Sequence, residues 1–301
     1  MNRRSFLVLS GLVGGGLVGG AALAGCQQPG PAGSASAGGA PAGDASADIP
    51  GVTDLADPAR LRTAEAVTSS FENSSTTLPY ASAQDIGDGR GITAGRAGFT
   101  SGTHDLLLVV RRYEESAGGE QTPLTGYVPA LTAIDAAVTA GGDGGDTTGL
   151  EGFPAAWRQA SQTDPRLNRA QDDVYRRLYF EPAMAQARRI GMTSALGQLV
   201  LLDSAVQHGT GTDPDGLVTM IDETTEAHGG TEQPDRSGWL AEFLEVRRAH
   251  LLDPADAETA EVWRRSVPRV DTLETLLEEE RFDLATPLDW TFAGQAFHFA
   301  G

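Results

Sequence analysis

The stretch TSALGQLVLLDSAVQHG, residues 193–209, is the feature that most constrains the fold of this chain. It reads as a helix that is apolar on nearly every face, whereas a surface helix keeps one polar face. Such a helix must lie in the interior, surrounded by other elements. Asp203 interrupts it, and a buried carboxylate is tolerated only when it is paired and hydrogen-bonded. We expect an arginine from the C-terminal helices to pair with it, from the set Arg247, Arg248 and Arg269.

Helical patterns occupy most of the remaining chain. Asp57 is a good N-cap and Pro58 suits the first helical position, and apolar residues then recur at helical spacing to about residue 72. A second helix follows Thr103, and the C-terminal half is largely helical. Glycines alternate with apolar residues from about 83 to 100, which indicates turns and short strands. The pattern predicts a predominantly helical α+β fold with strands confined to that stretch.

The N-terminus has the composition of an export signal. Arg3 and Arg4 precede an apolar, Gly-rich run and the sequence LAGC, in the order of a twin-arginine signal followed by a lipobox. Residues 1–25 would then be removed and Cys26 lipid-modified; an uncleaved signal-anchor helix is the alternative. Because Cys26 is the only cysteine, the fold has no internal disulfide. We expect an exported protein, either a cell-surface lipoprotein or extracellular.

After the signal, the composition of the chain divides it into a linker and a domain. Residues 26–55 hold the cysteine and a Gly-, Ala-, Ser- and Pro-rich segment without periodicity, which predicts a flexible linker. Residues 56–301 are then one domain, the expected catalytic domain. The chain has 41 acidic residues against 22 arginines and no lysine, a formal charge of −19. This charge argues against nucleic acid and anionic lipid as partners and favours cationic ones, unless it serves only solubility.

Two carboxylates near the end of the first helix are candidates for chemistry. Glu72 follows Phe71 at a helix C-terminus, where the helix dipole and apolar neighbours favour the protonated form that a general acid needs. Asp88 lies between glycines in IGDGRG, where a solvated carboxylate can act as a general base. The alternatives are an exposed glutamate and an ordinary tight turn. A calcium loop at residues 85–89 lacks the alternating carboxylates and terminal glutamate of that motif.

Separated motifs in a fixed order extend these observations over residues 58–292. They are ENSS, DIGDGRG, GF-x-SGT-x-D, YF-x-PA-x-x-QA, LGQ-x-x-x-x-D-x-x-x-x-HG, FL-x-x-R and RVDT. With them the chain resembles the chitosanases of family 46 of the glycoside hydrolases. The resemblance implies a lysozyme-like fold of two mostly helical lobes around a cleft, with a small sheet in the N-terminal lobe. It also implies endo-acting, inverting hydrolysis of β-1,4 links between glucosamine units, without a metal or other cofactor.

The same resemblance assigns roles by motif. Glu72 corresponds to the general acid, Asp88 to the general base, and Thr93 to a residue that holds the attacking water. Arg90 matches a cleft arginine and Asp105 a carboxylate that binds a substrate amine. A buried network that supports the acid corresponds to Asp203, Arg247 and Arg269. Chitosan and glucosamine oligosaccharides are the expected partners, the membrane is reached only through the lipid anchor, and a monomer is expected.

The chain departs from the family pattern at several places. The loop TTLPYASAQ, residues 76–84, is shorter than is typical, and Gln84 stands where an acid is common. His104 replaces a glycine beside Asp105, and the stretch between Leu252 and Arg269 is longer than usual. These changes leave open hydrolysis of a partly acetylated or peptidoglycan-like glycan. A non-catalytic binder of cationic polysaccharide is the other alternative.

Overall fold

The computed structural model describes residues 54–229, 238–257 and 260–301. The predicted signal peptide, Cys26 and nearly all of the predicted linker lie outside the described residues. The described part is mostly helical with small antiparallel sheets, which confirms the predicted fold class. Leu55 is buried and its N–H donates to Gln198 Oε1 at 2.9 Å, so the packed unit includes at least one residue before position 56.

The N-terminal lobe contains a three-stranded sheet in the order β1-β2-β3, with both pairs antiparallel. Its strands are β1 (Ala83–Asp85), β2 (Ile92–Ala94) and β3 (Phe99–Thr100), within the stretch predicted from the sequence. The helices of this lobe are α2 (Asp105–Ser116), α3 (Val128–Thr139), α4 (Phe153–Thr163) and α5 (Pro165–Tyr175). Helix α4 packs on β1 and β2, and α2 packs on α3 and α5.

A long helical segment connects the two lobes. The sequence predicts one helix here, and the structure divides it into α5, a π-helical turn at Arg176–Phe180, and α6 (Glu181–Ile190). Pro182 lies in the first turn of α6, and a proline has no N–H to donate to the preceding turn. The wider π turn continues the helix across this position. The turn packs against α7 (Ala195–His208) of the C-terminal lobe and so lies at the junction of the lobes.

The C-terminal lobe is built around α7 (Ala195–His208), in which all 14 residues are buried, as predicted. Around it are α1 (Pro58–Asn73), α8 (Leu217–Ala227), α9 (Gly238–Leu252), α10 (Ala260–Arg264) and α11 (Val267–Glu278). A helix of 14 residues suits a protein core better than a membrane span. In the ranges that the structure describes, no helix has both the length and the apolar character to cross a bilayer.

A C-terminal hairpin corrects the prediction that strands are confined to residues 83–100. Strands β4 (Leu288–Phe292) and β5 (Gln295–Phe299) pair antiparallel, with alternating burial along β4. Ala293 and Gly294 form the turn, and both have positive φ, 48° and 81°. Two such residues match the twist of the flanking strands. The hairpin packs on α1, where the rings of Phe292 and Phe71 lie 4.9 Å apart.

Candidate active site

Glu72 lies in the last turn of α1, as predicted. The helix ends because Ser74 adopts a left-handed conformation with φ 51° and returns its N–H to Ser70 O. The Glu72 side chain is only 9% exposed and forms an ion pair with Arg269 of α11. The Arg269 guanidinium also lies 5.6 Å from the centre of the Phe71 ring. Glu72 is therefore held at the meeting point of α1, α11 and the C-terminal hairpin.

This ion pair adds a contact that the sequence argument for a protonated Glu72 did not include. The helix C-terminus and the apolar neighbours favour the neutral form of the Glu72 carboxyl, whereas an adjacent guanidinium favours the charged form. Arg269 does not serve Glu72 alone, because its Nη1 lies 3.6 Å from Asp203 Oδ1. Burial lowers the pKa of Arg269, so its charge depends on the two carboxylates beside it.

The buried network behind Glu72 alternates in charge. Asp203 and Arg247 are fully buried, and their Oδ2 and Nη2 atoms are 2.6 Å apart. The order is thus Glu72, Arg269, Asp203, Arg247: two carboxylates and two guanidinium groups, each charge next to an opposite one. Burial raises the pKa of Asp203, and Arg247 opposes that shift. Alternation lets these charges stay in the interior, since a buried charge must be paired.

Two further side chains, those of Gln207 and His208, contact Arg247. Its Nη2 also donates to Gln207 Oε1 at 2.6 Å, and its Nε lies 3.4 Å from His208 Nε2. Burial, followed by the nearby Arg247 charge, lowers the pKa of His208 well below its ordinary value. The neutral ring can accept from Arg247 at Nε2 and donate from Nδ1 to the Asp215 carbonyl at 3.1 Å.

Asp88 lies in the turn between β1 and β2 and is held by local contacts. Its Oδ1 accepts from the Arg90 N–H at 3.1 Å, and its Oδ2 accepts from Arg90 Nε and Nη2 at 2.8 and 2.5 Å. Its side chain is 14% exposed. Gly87 and Gly89 on either side both have positive φ, which lets the chain turn sharply around the carboxylate. Arg90 therefore orients Asp88.

A second loop, which contains Gly144, packs against this turn. The backbone of Gly144 approaches Gly102 so closely that a Cβ on Gly102 would lie 2.3 Å from the Gly144 carbonyl oxygen. Gly102 in turn donates its N–H to Arg90 O at 3.0 Å. No side-chain pattern predicts such backbone-to-backbone packing, and the abundance of glycine is its only signal in the sequence.

Thr93 is the central residue of β2, opposite Gln84 and Thr100 on the neighbouring strands. Its Oγ1 is buried and has no hydrogen-bond partner in the described part of the chain. Buried hydroxyl groups are normally hydrogen-bonded to protein or ordered water. The position is therefore compatible with the predicted contact to a water, which stays a prediction.

Asp105 begins α2, and its Oδ1 accepts from Thr100 N and Thr103 Oγ1, both at 2.8 Å. Burial raises its pKa to about 6 despite these donors. Thr103 is not the cap of α2, as the sequence suggested; that position belongs to His104, which has φ 73°. Such a conformation suits the glycine that the family pattern has there. His104 Nδ1 lies 2.5 Å from Asp135 Oδ1.

Arg96, in the turn between β2 and β3, was missed by the sequence reasoning. Its buried side chain forms ion pairs with Glu65 of α1, at 2.7 Å, and with Asp172 of α5, and lies over the Tyr175 ring at 4.3 Å. It lines a pocket that also includes Glu72. Its partners lie 31 and 76 positions away, so sequence spacing offered no signal.

In the three described ranges, no group of three or more His, Cys, Asp or Glu side chains is arranged to hold a metal ion.

Sequence similarity to known proteins extends over most of this chain. The sequence model "Glycosyl hydrolase family 46" matches residues 66–288, most of the chain. A chitosanase of Bacillus subtilis (strain 168) is 38% identical over 229 residues, covering 75% of this chain and 80% of the relative. A chitosanase of Streptomyces sp. (strain N174) is 35% identical over 251 residues, covering 81% and 83%.

Solved structures give the same family. The native chitosanase from Bacillus subtilis MY002 has a TM-score of 0.70 and 36% identity, and the match covers 80% of this chain and 98% of that one. The Gynuella sunshinyii family 46 chitosanase in complex with chitotetraose has a TM-score of 0.70 and 40% identity, with 79% and 96% covered. This chain is therefore a glycoside hydrolase and belongs to glycosyl hydrolase family 46.

Proposed function

We propose that this protein is an endo-acting, inverting chitosanase that hydrolyses β-1,4 bonds between glucosamine units. The observation that carries the proposal is the arrangement of Glu72 and Asp88 in a family 46 chain. Each carboxylate is paired with an arginine, Arg269 and Arg90 respectively, and the two stand on different elements, a helix end and a strand-connecting turn.

The proposed reaction divides the work between the two carboxyls. Glu72 gives its proton to the glycosidic oxygen as that bond breaks. Asp88 takes a proton from a water that attacks the anomeric carbon on the opposite face, with Thr93 Oγ1 holding the water. An inverting enzyme needs about 6.5–9.5 Å between its carboxyls to admit this water. Placement on separate elements suits such a gap.

Substrate recognition would rest on charge. The formal charge of −19 attracts protonated amino sugars and raises their local concentration near the cleft. Asp105 would pair with a glucosamine ammonium group, and only its ionised form can do so. Its pKa of about 6 therefore makes this contact pH-dependent just below neutrality.

The proposal is tested on a chain that begins at Gln27, which cannot be lipidated and keeps Leu55 in the fold. It is incubated with glucosamine hexamer, and the product anomers are followed by NMR, with Glu72→Gln and Asp88→Asn as variants. We expect rapid appearance of α-anomers from the wild type. Both variants should lose activity by about 10²-fold or more, since general acid–base catalysis contributes that much.

Other outcomes separate the alternatives. β-Anomers would exclude inversion, and cleavage of acetylated oligomers alone would change the substrate class. Tight binding of chitosan without cleavage by the folded wild type would indicate a non-catalytic binder.

We also propose that the protein is exported and anchored by lipid at Cys26. The support is the order of the arginine pair, the apolar run and LAGC before the only cysteine. Labelling cells with a radioactive fatty acid should label the wild type and not Cys26→Ala. Equal labelling of both would contradict lipidation at this residue.

A further inference from the structure

The face of α1 that carries Glu72 also lines a pocket beside it. Glu65, Thr68 and Ser69 precede Glu72 by seven, four and three positions, so the four side chains follow one face of the helix. All four line one small pocket. The remaining wall comes from other elements: Asn73, Leu78, Arg96, Ala97, Tyr175 and Val206. We call this space the acid-side pocket.

Three polar atoms in its wall are buried without a hydrogen-bond partner in the described part of the chain: Thr68 Oγ1, Arg96 Nε and Glu72 Oε1. The last of these faces Arg269 in the ion pair described above. The other nitrogens of Arg96 are engaged: Nη2 with Glu65 Oε1 at 2.7 Å and Nη1 with Asp172 Oδ1. Hydroxyl and guanidinium N–H groups in such positions are almost always satisfied by protein or by ordered water.

Thr68 also stands in the right relation to Glu72. Side chains four positions apart on a helix are neighbours, with their Cβ atoms about 5–6 Å from each other. A direct contact is possible at that spacing, but Thr68 Oγ1 has no hydrogen-bond partner among the described residues, Glu72 included. The spacing also suits a contact through one water molecule.

We propose that Thr68 and Arg96 hold an ordered water that hydrogen-bonds the Glu72 carboxyl, which makes both of them positioning residues for the general acid. The water accepts from Arg96 Nε–H and donates its two hydrogens to Thr68 Oγ1 and to Glu72. Three such bonds are typical of a buried water. This inference rests on the role of Glu72 proposed above, and it gives the acid a second fixed contact besides Arg269.

The charges around Glu72 make Thr68 the cleaner residue to change. Arg269 faces Glu72 from α11 with Asp203 behind it, while Glu65, Arg96 and Tyr175 face the pocket. Replacing Thr68 by valine keeps the shape and all of these charges and removes only the hydroxyl. Thr68→Ser restores a hydroxyl. Thr63→Val is a matched control, because the buried Thr63 Oγ1 on the same helix donates to Ala59 O and does not line the pocket.

The variants are made in the full-length protein, and kcat and KM for glucosamine hexamer are measured as a function of pH. We expect Thr68→Val to lower kcat about ten-fold, with KM changed less than about two-fold, because only the positioned acid is affected. The alkaline limb of kcat should move up by about one pH unit, since the ionised carboxylate loses a donor. Thr68→Ser and Thr63→Val should retain the wild-type profile.

The inference is overturned if Thr68→Val and Thr68→Ser have the same kcat and the same alkaline limb. It is also overturned if Thr63→Val lowers kcat and shifts the alkaline limb as much as Thr68→Val does. Absence of hexamer cleavage by the wild type would refute the proposed function instead. A high-resolution crystal structure then decides the inference separately. It must contain a water within hydrogen-bond distance of both Thr68 Oγ1 and Arg96 Nε, and a structure without that water overturns the inference.

Discussion

Arg269 is the residue whose removal tests the buried network most directly. We expect Arg269→Met to lower the free energy of unfolding by about 3–5 kcal/mol at neutral pH, the usual cost of breaking a buried ion pair. Methionine keeps much of the length and packing against Phe71 but carries no charge. The change leaves Glu72 without its guanidinium partner, whereas Asp203 keeps Arg247 at 2.6 Å. Urea-induced unfolding measures the loss.

The loss should depend on pH in a defined direction. Without Arg269, both buried carboxylates lose a positive neighbour that favours their ionised form, and burial already raises the pKa of Asp203. A carboxyl with a raised folded-state pKa contributes stability at low pH and loses that contribution as the pH rises through the folded-state pKa. The destabilisation by Arg269→Met should therefore be largest at neutral pH and shrink in mildly acidic buffer.

A surface arginine provides the control. Arg265 Nη2 lies 3.2 Å from Glu261 Oε1, and both side chains are exposed. Arg265→Met should cost less than about 1 kcal/mol, with little dependence on pH. The reasoning is refuted if Arg269→Met costs no more than this control, or if its cost is equal at neutral and acidic pH.

Three further predictions concern the N-terminal lobe. Gly91→Ala should lower kcat strongly, because the new Cβ would lie 2.2 Å from Ser101 Oγ. Gly87 has a similar φ but no neighbour within 4 Å, so Gly87→Ala should lower stability only by the strain of a positive φ. Both variants are compared by kcat and by thermal unfolding. In the wild type, KM for glucosamine oligomers should fall as the pH rises through about 6, and Asp105→Asn should abolish that fall. His104→Gly should raise the free energy of unfolding by up to about 1 kcal/mol, because glycine tolerates φ 73° and the lost contact with Asp135 is partly exposed; a lower thermal midpoint would contradict this.

The core was predictable because its signal is local. A helix that is apolar on nearly every face and contains one aspartate already requires a buried position and a buried cation, and the structure contains both around Asp203. The sequence could not choose among three arginines. Arg247 and Arg248 are adjacent in α9 and point about 100° apart, so only one of them can face α7. Arg248 instead pairs with Asp271 and Glu274 of α11.

The missed features divide into two kinds. The C-terminal hairpin had a readable signal, since apolar residues alternate on both sides of Ala293 and Gly294, a two-residue turn. The contacts of Arg96 had no such signal, and the packing of the loop containing Gly144 had only the abundance of glycine. They join segments that are distant along the chain, and their positions depend on how the complete lobes pack.

The same distinction separates the two carboxylates of the site. Asp88 is oriented by Arg90, two residues along the chain, so the motif IGDGRG encodes most of its geometry. Glu72 is oriented by Arg269, which reaches it only when α11 and α7 are packed beside α1. Packing defects in the C-terminal helices should therefore impair the proposed acid, Glu72, and spare the proposed base, Asp88. In catalytic terms, they should lower kcat through Glu72 while the turn around Asp88 keeps its structure.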